Sequence, residues 1–342
     1  MSDPISNQPV IQLSNVAMQE TIQKLLASGK GILAADARIK SMGKRLEAIG
    51  VEPTPENALK FRGILFATPG IGEFISGVIL NDDTVRNSLE NKPVPKFLEE
   101  KGITPIVKVD EGIEPFGEGE EEITKGLETL PQKLKEYSGM GLKATKWRGV
   151  IKISDIYPTE PFLEENFGRM IKYAKLCQEN GFVPIIEPEI LLDGNHTTTR
   201  CEEVETKVLK ILFEKLKSGG VDLTKLILKT SMVLPGKDSG VKAAPLEVAN
   251  VTLRTLKAAV PSEVPGIVFL SGGQTPDQAT DNLNEISKLK GDVPWQISFS
   301  YERALQEEAM TEWAGKDENI VKAQEAFYER VRNVSAAREG RL

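Results

Sequence analysis

Short apolar segments alternate with longer amphipathic segments along most of the chain. Eight stretches rich in aliphatic and β-branched residues predict β-strands, at 31–36, 75–80, 104–110, 144–153, 182–191, 225–233, 266–273 and 294–301. The segments 165–181, 200–220 and 245–260 between them carry apolar residues at helical spacing, and two of the three end in glycine, a common helix terminator. Eight strand–helix repeats predict parallel βαβ units.

The number of strands distinguishes two α/β architectures. One is a doubly wound open sheet and the other is a closed (β/α)8 TIM barrel. Eight strands favour the closed barrel. A chain of 342 residues is longer than the roughly 250 residues of a plain barrel. We therefore predict a single domain with additional N- and C-terminal helices: an extension over 1–30, the barrel over 31–303, and a C-terminal helical extension over 304–342 that packs outside the barrel and frays at its end. The acidic segment 114–130 is predicted to be a solvated loop leading into a helix.

The charge pattern argues against several classes of function. Lysine plus arginine number 43 and aspartate plus glutamate 50, which gives a net charge of -7 with the charges interspersed. This pattern does not favour binding to nucleic acid or to an anionic membrane. The start of the chain lacks the features of a secretory signal, no apolar run has the length of a membrane span, and Cys177 and Cys201 lie in no metal or redox motif. We expect a cytoplasmic protein without membrane or nucleic-acid partners.

The sequence contains one histidine, His196, in a polar turn. Zinc sites draw on several His or Cys ligands, and a Ser-His-Asp triad needs a well-placed histidine. Neither a Walker loop nor a G-x-G-x-x-G turn follows a predicted strand, so no nucleotide site is indicated. We predict no metal and no cofactor, and chemistry that depends on Lys, Arg, Asp, Glu, Ser and backbone amides.

Charged residues occur within or at the ends of five predicted strands: Asp36, Lys108, Lys146, Arg148, Glu187, Glu189 and Lys229. Residues two apart in a strand point to the same side, and barrel active sites lie at the carboxyl ends of the strands. These lysines and carboxylates are therefore expected to meet in the barrel mouth. A purely structural ion-pair network is the alternative interpretation, since such networks also satisfy buried charges.

Two loops indicate a phosphate site. Ser271, Gly272 and Gly273 follow the seventh strand, and glycine allows close approach of backbone N–H groups to an anion. Arg303 follows the eighth strand, and the loops after strands seven and eight hold phosphate in many barrels.

A strand-end lysine near a second lysine can have its pKa lowered to about 7–8, which allows the neutral amine to attack a ketone. The pattern indicates carbonyl chemistry on a sugar phosphate.

Nine motifs in order resemble class I (Schiff-base) fructose-bisphosphate aldolase of the animal and plant type, between about Gly31 and about Asn319: GILAAD, FISGVIL, IVKVDEGIEP, KWRGVIKI, NGFVPIIEPEIL, ILK, FLSGGQ, FSYERALQ and EAMTEWAGKDEN. The resemblance implies the reversible, metal-independent cleavage of fructose 1,6-bisphosphate to dihydroxyacetone phosphate and glyceraldehyde 3-phosphate, a step of glycolysis. It also implies a TIM barrel and a homotetramer.

The resemblance implies five catalytic residues. Lys229 is expected to form the Schiff base with C2 of the ketose, and Asp36 to take the C4 hydroxyl proton. Glu187 is expected to transfer protons as the imine forms and hydrolyses. Lys146 is expected to stabilise developing charge, and Glu189 to hold the neighbouring lysines.

The same resemblance implies a set of substrate-binding residues. Lys108 and Arg148 are expected to orient the substrate and its far phosphate, the one on the aldehyde-derived end. The near phosphate is expected at Ser271, Gly272 and Arg303, in a site lined by Ser300 and Tyr301. Ser41 and Arg45 belong to the loop that holds the far phosphate in the family.

Three departures from the family pattern bear on substrate choice. Ala37-Arg38-Ile39-Lys40 stand where the family usually has Glu-Ser-Thr-Gly, so Arg38 or Lys40 is expected to replace a lost hydroxyl; otherwise the substrate is a mono-phosphate. Thr230-Ser231 replace Pro-Asn after the lysine, and Glu302 replaces a glycine beside the near phosphate. The alternatives are a Schiff-base aldolase or transaldolase-like enzyme for another ketose, and a non-catalytic sugar-phosphate-binding barrel.

Overall fold

The computed structural model describes residues 8–342, so the first seven residues of the predicted N-terminal extension lie outside the described part. Its strands in chain order are β1 (Gly31–Ala35), β2 (Ile75–Leu80), β3 (Ser88–Leu89), β4 (Lys92–Pro93), β5 (Thr104–Lys108), β6 (Ile113–Pro115), β7 (Glu122–Thr124), β8 (Ala144–Ile151), β9 (Val183–Ile190), β10 (Ile227–Thr230), β11 (Gly266–Phe269) and β12 (Gln296–Tyr301).

Eight of these strands close into a barrel in the order β1-β12-β11-β10-β9-β8-β5-β2. Every neighbouring pair is parallel, including the closing pair of β1 and β12, in which Ile32 is aligned with Ser300. All eight predicted strand segments supply a barrel strand. The predicted closed (β/α)8 barrel is therefore confirmed, and the open sheet is excluded.

The helices surround this barrel. In chain order they are α1 (Gln8–Leu25), α2 (Ile39–Ala48), α3 (Pro55–Ala67), α4 (Asp82–Val85), α5 (Val94–Glu99), α6 (Leu130–Gly139), α7 (Glu160–Glu179), α8 (Thr198–Ser218), α9 (Pro245–Ala259), α10 (Pro276–Leu289), α11 (Arg303–Trp313) and α12 (Ile320–Arg338). Short 3-10 turns occupy Ile71–Glu73, Leu223–Lys225, Lys237–Ser239 and Asp317–Asn319. None of the helices in the described part of the chain combines the length and apolar character needed to cross a bilayer.

The segment 114–130 differs from the predicted solvated loop. It contributes to an antiparallel hairpin in which β6 pairs with β7 and Glu114 is aligned with Ile123. Ile123 and Thr124 are buried, because the hairpin packs against β8, where the Thr124 hydroxyl donates to the Arg148 carbonyl at 2.7 Å. The acidic composition of the segment gave no sign of these two buried positions, of which Ile123 is apolar and Thr124 is polar.

The interior of the barrel is layered from apolar to charged. Its lower layer is a cluster of buried aliphatic side chains that point inward from the strands and meet Met18, Ile22, Leu25 and Leu26 from α1 and the residue after it. Two residues further along several strands the inward position is charged, as where Ala34 is followed by Asp36. The helix α1 thus closes the amino-terminal end of the barrel, and the charged layer lies at the other end, where barrel enzymes place their active sites.

The helix α12 covers the same amino-terminal end from outside. Arg338, in its last turn, is 2% exposed and donates to the carbonyls of Leu26 at 2.8 Å and of Ile297 at 3.0 Å, and also to those of Ala27 and Lys30. The expected fraying of the C-terminal segment is therefore wrong up to Arg338, because this buried guanidinium ties the helix to the barrel.

Candidate active site

Strand alternation directs the charged residues of β8 into the barrel. Trp147 points to the helix layer, where its ring stacks on Tyr173 with centroids 5.4 Å apart. Its neighbours Lys146 and Arg148 must then face inward, since consecutive strand residues point to opposite sides. On β9, Ile186 packs in the outer core and Glu187 faces the barrel interior. The i, i+2 rule applied to the sequence is confirmed for these two strands.

Two lysines and two carboxylates form a buried chain of ion pairs. Lys229 Nζ lies 3.0 Å from Glu187 Oε1. Lys146 Nζ lies 2.8 Å from Glu187 Oε2 and 3.0 Å from Asp36 Oδ2. Each of the four side chains is at most 7% exposed. Lys146 therefore connects the two carboxylates, and Glu187 connects the two lysines.

This arrangement keeps both carboxylates ionised. Burial alone would raise the pKa of Asp36, but the ammonium groups of Lys146, Lys108 and Lys229 outweigh it and hold that pKa well below its usual value. In the same way Lys146, Lys229 and Arg148 lower the pKa of Glu187 against the effect of burial. Burial would lower the pKa of Lys146, yet Asp36 and Glu187 raise it, so Lys146 stays protonated.

Two further cations reach the rim of this cluster. Lys108 Nζ donates to the backbone carbonyl of Asp36 at 2.9 Å and lies 3.5 Å from Asp36 Oδ2. Arg148 forms an ion pair with Glu189, the residue that follows Glu187 on the same face of β9. Both cations are thus positioned by carboxylates before any substrate arrives.

The loops after β11 and β12 form a polar corner next to Lys229. Ser271 and Gly272 line the cavity after β11, and Ser300 and Arg303 line it after β12. The buried Ser300 hydroxyl finds no hydrogen-bond partner among residues 8–342. Helix α11 begins at Arg303 with no acidic residue in its first turn and no side-chain cap. Free helix N-terminal amides beside an arginine suit an anion.

All these groups open into one cavity of ≈ 900 Å³ at the carboxyl end of the barrel. Its lining holds the catalytic candidates Asp36, Lys146, Glu187, Glu189 and Lys229 and most of the predicted binding residues, namely Arg38, Ser41, Arg45, Lys108, Arg148, Ser271, Gly272, Ser300 and Arg303. Ten of the lining residues are Lys or Arg and six are Asp or Glu. In a chain of net charge -7, this cationic excess concentrates positive potential where an anionic substrate enters.

Two predicted binding residues lie outside this lining. Tyr301 was expected to line the near-phosphate site, but its side chain is buried on the other face of β12 and its hydroxyl donates to the Ala279 carbonyl at 2.9 Å. Strand alternation explains this, since Ser300 already takes the inward position. Gly273 forms the turn after Gly272 with φ +78°, where an added Cβ would lie 2.7 Å from Leu192. The positive φ of Gly273 is needed for the turn, and Gly273 does not line the cavity.

The loop 37–40, whose sequence departs from the family pattern, was expected to supply Arg38 or Lys40 in place of a lost hydroxyl. Arg38 lines the cavity but its guanidinium is engaged, donating to the Asp110 carbonyl at 2.9 Å and to the Glu111 carbonyl at 2.7 Å. Arg45 is held by Glu302 and by Gln306, each at 3.1 Å. The carboxylate of Glu302 thus neutralises a cation of the site.

Four charged lining residues had been given no role from the sequence: Lys44, Asp110, Glu111 and Lys125. Asp110 stands two residues after Lys108, so the same i, i+2 rule indicated it. Its Oδ2 is buried and unpartnered within the described residues. Lys125 follows the acidic hairpin, and nothing in the local sequence pointed to it.

A further carboxyl group lies directly behind β10, the strand that carries Lys229. The Thr230 hydroxyl, next in sequence to Lys229, donates to Glu205 Oε1 of α8 at 3.0 Å. Glu205 is 1% exposed, and burial raises its pKa to about 8, which the Thr230 hydrogen bond only partly offsets. Glu205 is therefore largely protonated at neutral pH, on the opposite side of β10 from the cavity.

The residues set aside in the sequence lie away from the cavity. His196 and both cysteines are buried and do not line it, and burial raises the pKa of Cys177 to about 12. Within residues 8–342 no group of three or more His, Cys, Asp or Glu is gathered where it could hold a metal ion.

The chain matches a family model described as Fructose-bisphosphate aldolase class-I over residues 17–342. It is 44% identical over 314 residues to "Fructose-bisphosphate aldolase 4, cytosolic" of Arabidopsis thaliana, covering 91% of this chain and 80% of that protein. It is 42% identical over 328 residues to "Probable fructose-bisphosphate aldolase class 1" of Xanthomonas campestris, covering 95% of this chain and 98% of that protein.

A solved structure shares the fold. The fructose-bisphosphate aldolase of Plasmodium falciparum, crystallised in a ternary complex with TRAP and a small-molecule inhibitor, superposes with a TM-score of 0.93 at 41% sequence identity. The match covers 96% of this chain and 95% of that chain.

Proposed function

Because the chain belongs to the class I fructose-bisphosphate aldolase family, we propose that Lys229 is its Schiff-base nucleophile, that Glu187 and Asp36 carry out the proton transfers, and that Lys146 stabilises the developing charge. The reaction is the reversible cleavage of fructose 1,6-bisphosphate to dihydroxyacetone phosphate and glyceraldehyde 3-phosphate. The observation that carries the assignment of roles is the ion-pair chain Lys229–Glu187–Lys146–Asp36 at the carboxyl end of the barrel.

Imine formation draws on the contact between Lys229 and Glu187. The neutral amine of Lys229 attacks the C2 carbonyl of the ketose and forms a carbinolamine. Glu187, 3.0 Å from Lys229 Nζ, takes the proton from the ammonium and returns it to the departing hydroxyl, which leaves as water. Lys146 stabilises the carboxylate of Glu187 between these two steps.

Carbon–carbon cleavage draws on Asp36. The Asp36 carboxylate takes the C4 hydroxyl proton, the C4–O bond becomes a carbonyl, and the C3–C4 electron pair moves into the iminium to give an enamine. The Asp36 carboxylate is paired with Lys146 and lies near Lys108. When Lys108 turns toward the substrate, Asp36 loses one cation and gains proton affinity. Glyceraldehyde 3-phosphate leaves, and the enamine takes up one proton at C3, which balances the proton that Asp36 has taken. Hydrolysis of the imine then releases dihydroxyacetone phosphate and restores Lys229.

The near phosphate binds at the corner formed by Ser271, Gly272, Ser300 and Arg303. The unpartnered hydroxyl of Ser300 and the uncapped N-terminus of α11 supply donors there. The carboxyl group of Glu189 holds Arg148 toward the other end of the substrate. This arrangement supports a binding mode in which the ketose carbonyl lies next to Lys229, between the two proposed phosphate-binding ends of the cavity.

Borohydride trapping tests the proposed nucleophile. Reduction in the presence of dihydroxyacetone phosphate should leave a stable adduct on Lys229 alone, detected by peptide mass mapping. Lys229→Arg should give no adduct and no cleavage, while Lys225→Arg on the preceding turn should behave as the parent protein. An adduct on another lysine, or none on the folded protein, contradicts the assignment.

The proposal also covers the location of the protein, its oligomeric state and the number of its domains. The Arabidopsis relatives are named cytosolic and the spinach relative cytoplasmic, which supports a cytoplasmic location here. The family resemblance supports a homotetramer. Light scattering coupled to size-exclusion chromatography tests this directly. The packing of α1 and α12 on the barrel supports one domain, for which a single cooperative unfolding transition is expected.

A further inference from the structure

The N-terminus of α2 opens into the cavity without the groups that usually complete a helix start. Its N-cap residue, Arg38, makes no side-chain cap, and its first turn contains no acidic residue. Lys40 stands in that first turn, although the positive end of the helix dipole disfavours a cation there. Lys44, one turn further on, lines the same cavity. An anion bound between these groups relieves the unfavourable charge and satisfies the free amides.

Arg38 holds this helix start against the loop after β5. Its guanidinium donates to the carbonyls of Asp110 and Glu111, at 2.9 Å and 2.7 Å. The same loop is paired with the end of the β6–β7 hairpin, since the Glu111 amide donates to the Lys125 carbonyl and the Lys125 amide donates to the Gly112 carbonyl, both at 2.8 Å. Two short links therefore bring Lys125 to the α2 N-terminus.

The cations of the cavity divide into two kinds. Lys108 is paired with Asp36, Arg148 with Glu189 and Arg45 with Glu302, as described above. Among residues 8–342 no ion pair involves Lys40, Lys44 or Lys125, and all three side chains are exposed. Arg303, at the near-phosphate corner, likewise has no carboxylate partner within this part of the chain. Unpaired cations thus stand in two separate places, one for each end of a bisphosphate.

We propose that Lys40 and Lys125, with Lys44, are the specificity-determining ligands of the far phosphate, and that Arg38 is a positioning clamp and not a ligand. The inference rests on the proposed function, because it assigns the two ends of that substrate. It explains how the loop 37–40 tolerates the loss of the hydroxyl-rich family sequence: lysines from two segments replace the missing donors. The chain is then selective for a ketose bisphosphate over a mono-phosphate.

Steady-state kinetics with fructose 1,6-bisphosphate and with fructose 1-phosphate separate binding of the far phosphate from binding of the near phosphate. Lys125→Ala and Lys40→Ala should each raise KM for the bisphosphate by about tenfold, the effect of losing one charge-assisted contact of roughly 1.4 kcal/mol. Both variants should leave kcat/KM for fructose 1-phosphate within about twofold, since that substrate has no far phosphate. Lys135→Ala, an exposed lysine on α6 outside the cavity, is the control for the loss of one positive charge.

Arg38→Lys distinguishes a clamp from a ligand. A lysine keeps the charge but cannot donate to two carbonyls at once. If Arg38 is the clamp, Arg38→Lys should raise KM for the bisphosphate about as much as Arg38→Ala does. Near-parental KM in Arg38→Lys makes Arg38 a direct phosphate contact and overturns that part of the proposal.

The outcomes separate this inference from the proposed function. Equal effects of Lys125→Ala on both substrates, or no effect on either, overturn the inference while cleavage by the parent protein keeps the aldolase assignment. Absence of cleavage and of a Lys229 adduct in the parent protein removes both. Unfolding temperatures within about two degrees of the parent establish that the variants are folded, and Lys125→Gln provides a milder second substitution if Lys125→Ala is not.

Discussion

Lys146 Nζ lies 3.0 Å from the Asp36 carboxylate and, on its other side, 2.8 Å from that of Glu187. One ammonium group therefore holds in fixed positions the two carboxylates that we propose as the base for carbon–carbon cleavage and as the proton carrier for imine chemistry. Breaking a buried pair by removing one partner leaves an uncompensated charge. In the proposed mechanism, both halves of the reaction therefore depend on Lys146.

Lys146→Met should therefore change the pH profile as well as the rate. We expect kcat to fall by about a hundredfold or more, as when one preorganised electrostatic group is removed. The pKa values of Asp36 and Glu187, which Lys146 holds low, should rise, so the acidic limb of kcat/KM should move to higher pH. Lys143→Ala, an exposed residue just before β8, is the control. A large loss of rate with an unmoved acidic limb contradicts the electrostatic role.

Glu205→Gln should stabilise the protein at alkaline pH. The pKa of Glu205 is about 8 when folded and about 4.3 when unfolded. The folded state thus retains a proton that the unfolded state releases, and stability is lost as pH rises from about 4 to about 8. Glutamine removes this titration and can still accept from Thr230, so the variant should gain on the order of a few kcal/mol at pH 8 relative to the parent.

Urea unfolding at several pH values measures this effect. The stability difference between the Glu205→Gln variant and the parent should be small near pH 4.5 and should grow toward pH 8. Glu203→Gln, an exposed site on the same helix, should show no such growth. A pH-independent difference shows that Glu205 does not titrate with a raised pKa.

Glu302→Gln should improve binding at the near phosphate. Glu302 is partly exposed, lines the cavity and pairs with Arg45. Removing its charge relieves repulsion with the near phosphate, so KM for dihydroxyacetone phosphate in the condensation direction should fall by about three- to tenfold, equivalent to roughly 1 kcal/mol. Glu312→Gln, at the exposed end of α11, controls for the change in net charge. An unchanged or higher KM shows that Glu302 points away from the bound phosphate.

Arg338→Ala should destabilise the fold without affecting chemistry. The guanidinium satisfies carbonyls of Leu26, Ala27, Lys30 and Ile297 at the amino-terminal end of the barrel. Leaving them unpaired should cost about 3 kcal/mol, the scale of losing several buried hydrogen bonds to a charged donor. Thermal unfolding should show the loss, while the exposed Arg332→Ala on the same helix should not. An unchanged unfolding temperature for Arg338→Ala contradicts the stabilising role of this guanidinium.

The sequence by itself determined the number of barrel strands and the direction of their charged side chains. Apolar runs punctuated by amphipathic segments fix eight strands, and alternation within a strand is a local consequence of backbone geometry, so Lys146 with Arg148 and Glu187 with Glu189 could be assigned to the barrel interior. The same rule already opposed Tyr301, which only the family resemblance had placed in the site.

Only the tertiary structure decided which of these charges are committed to protein partners. Arg38 meets the Glu111 carbonyl 73 residues away, and Arg338 meets the Leu26 carbonyl 312 residues away. Such contacts exist only after the barrel closes, since they join segments whose spacing along the chain carries no periodic signal. The hairpin that delivers Lys125 depends in the same way on two buried residues packing against β8. Local pattern therefore specifies the scaffold and its inward-facing chemistry, whereas the free or paired state of each cation follows from closure of the barrel.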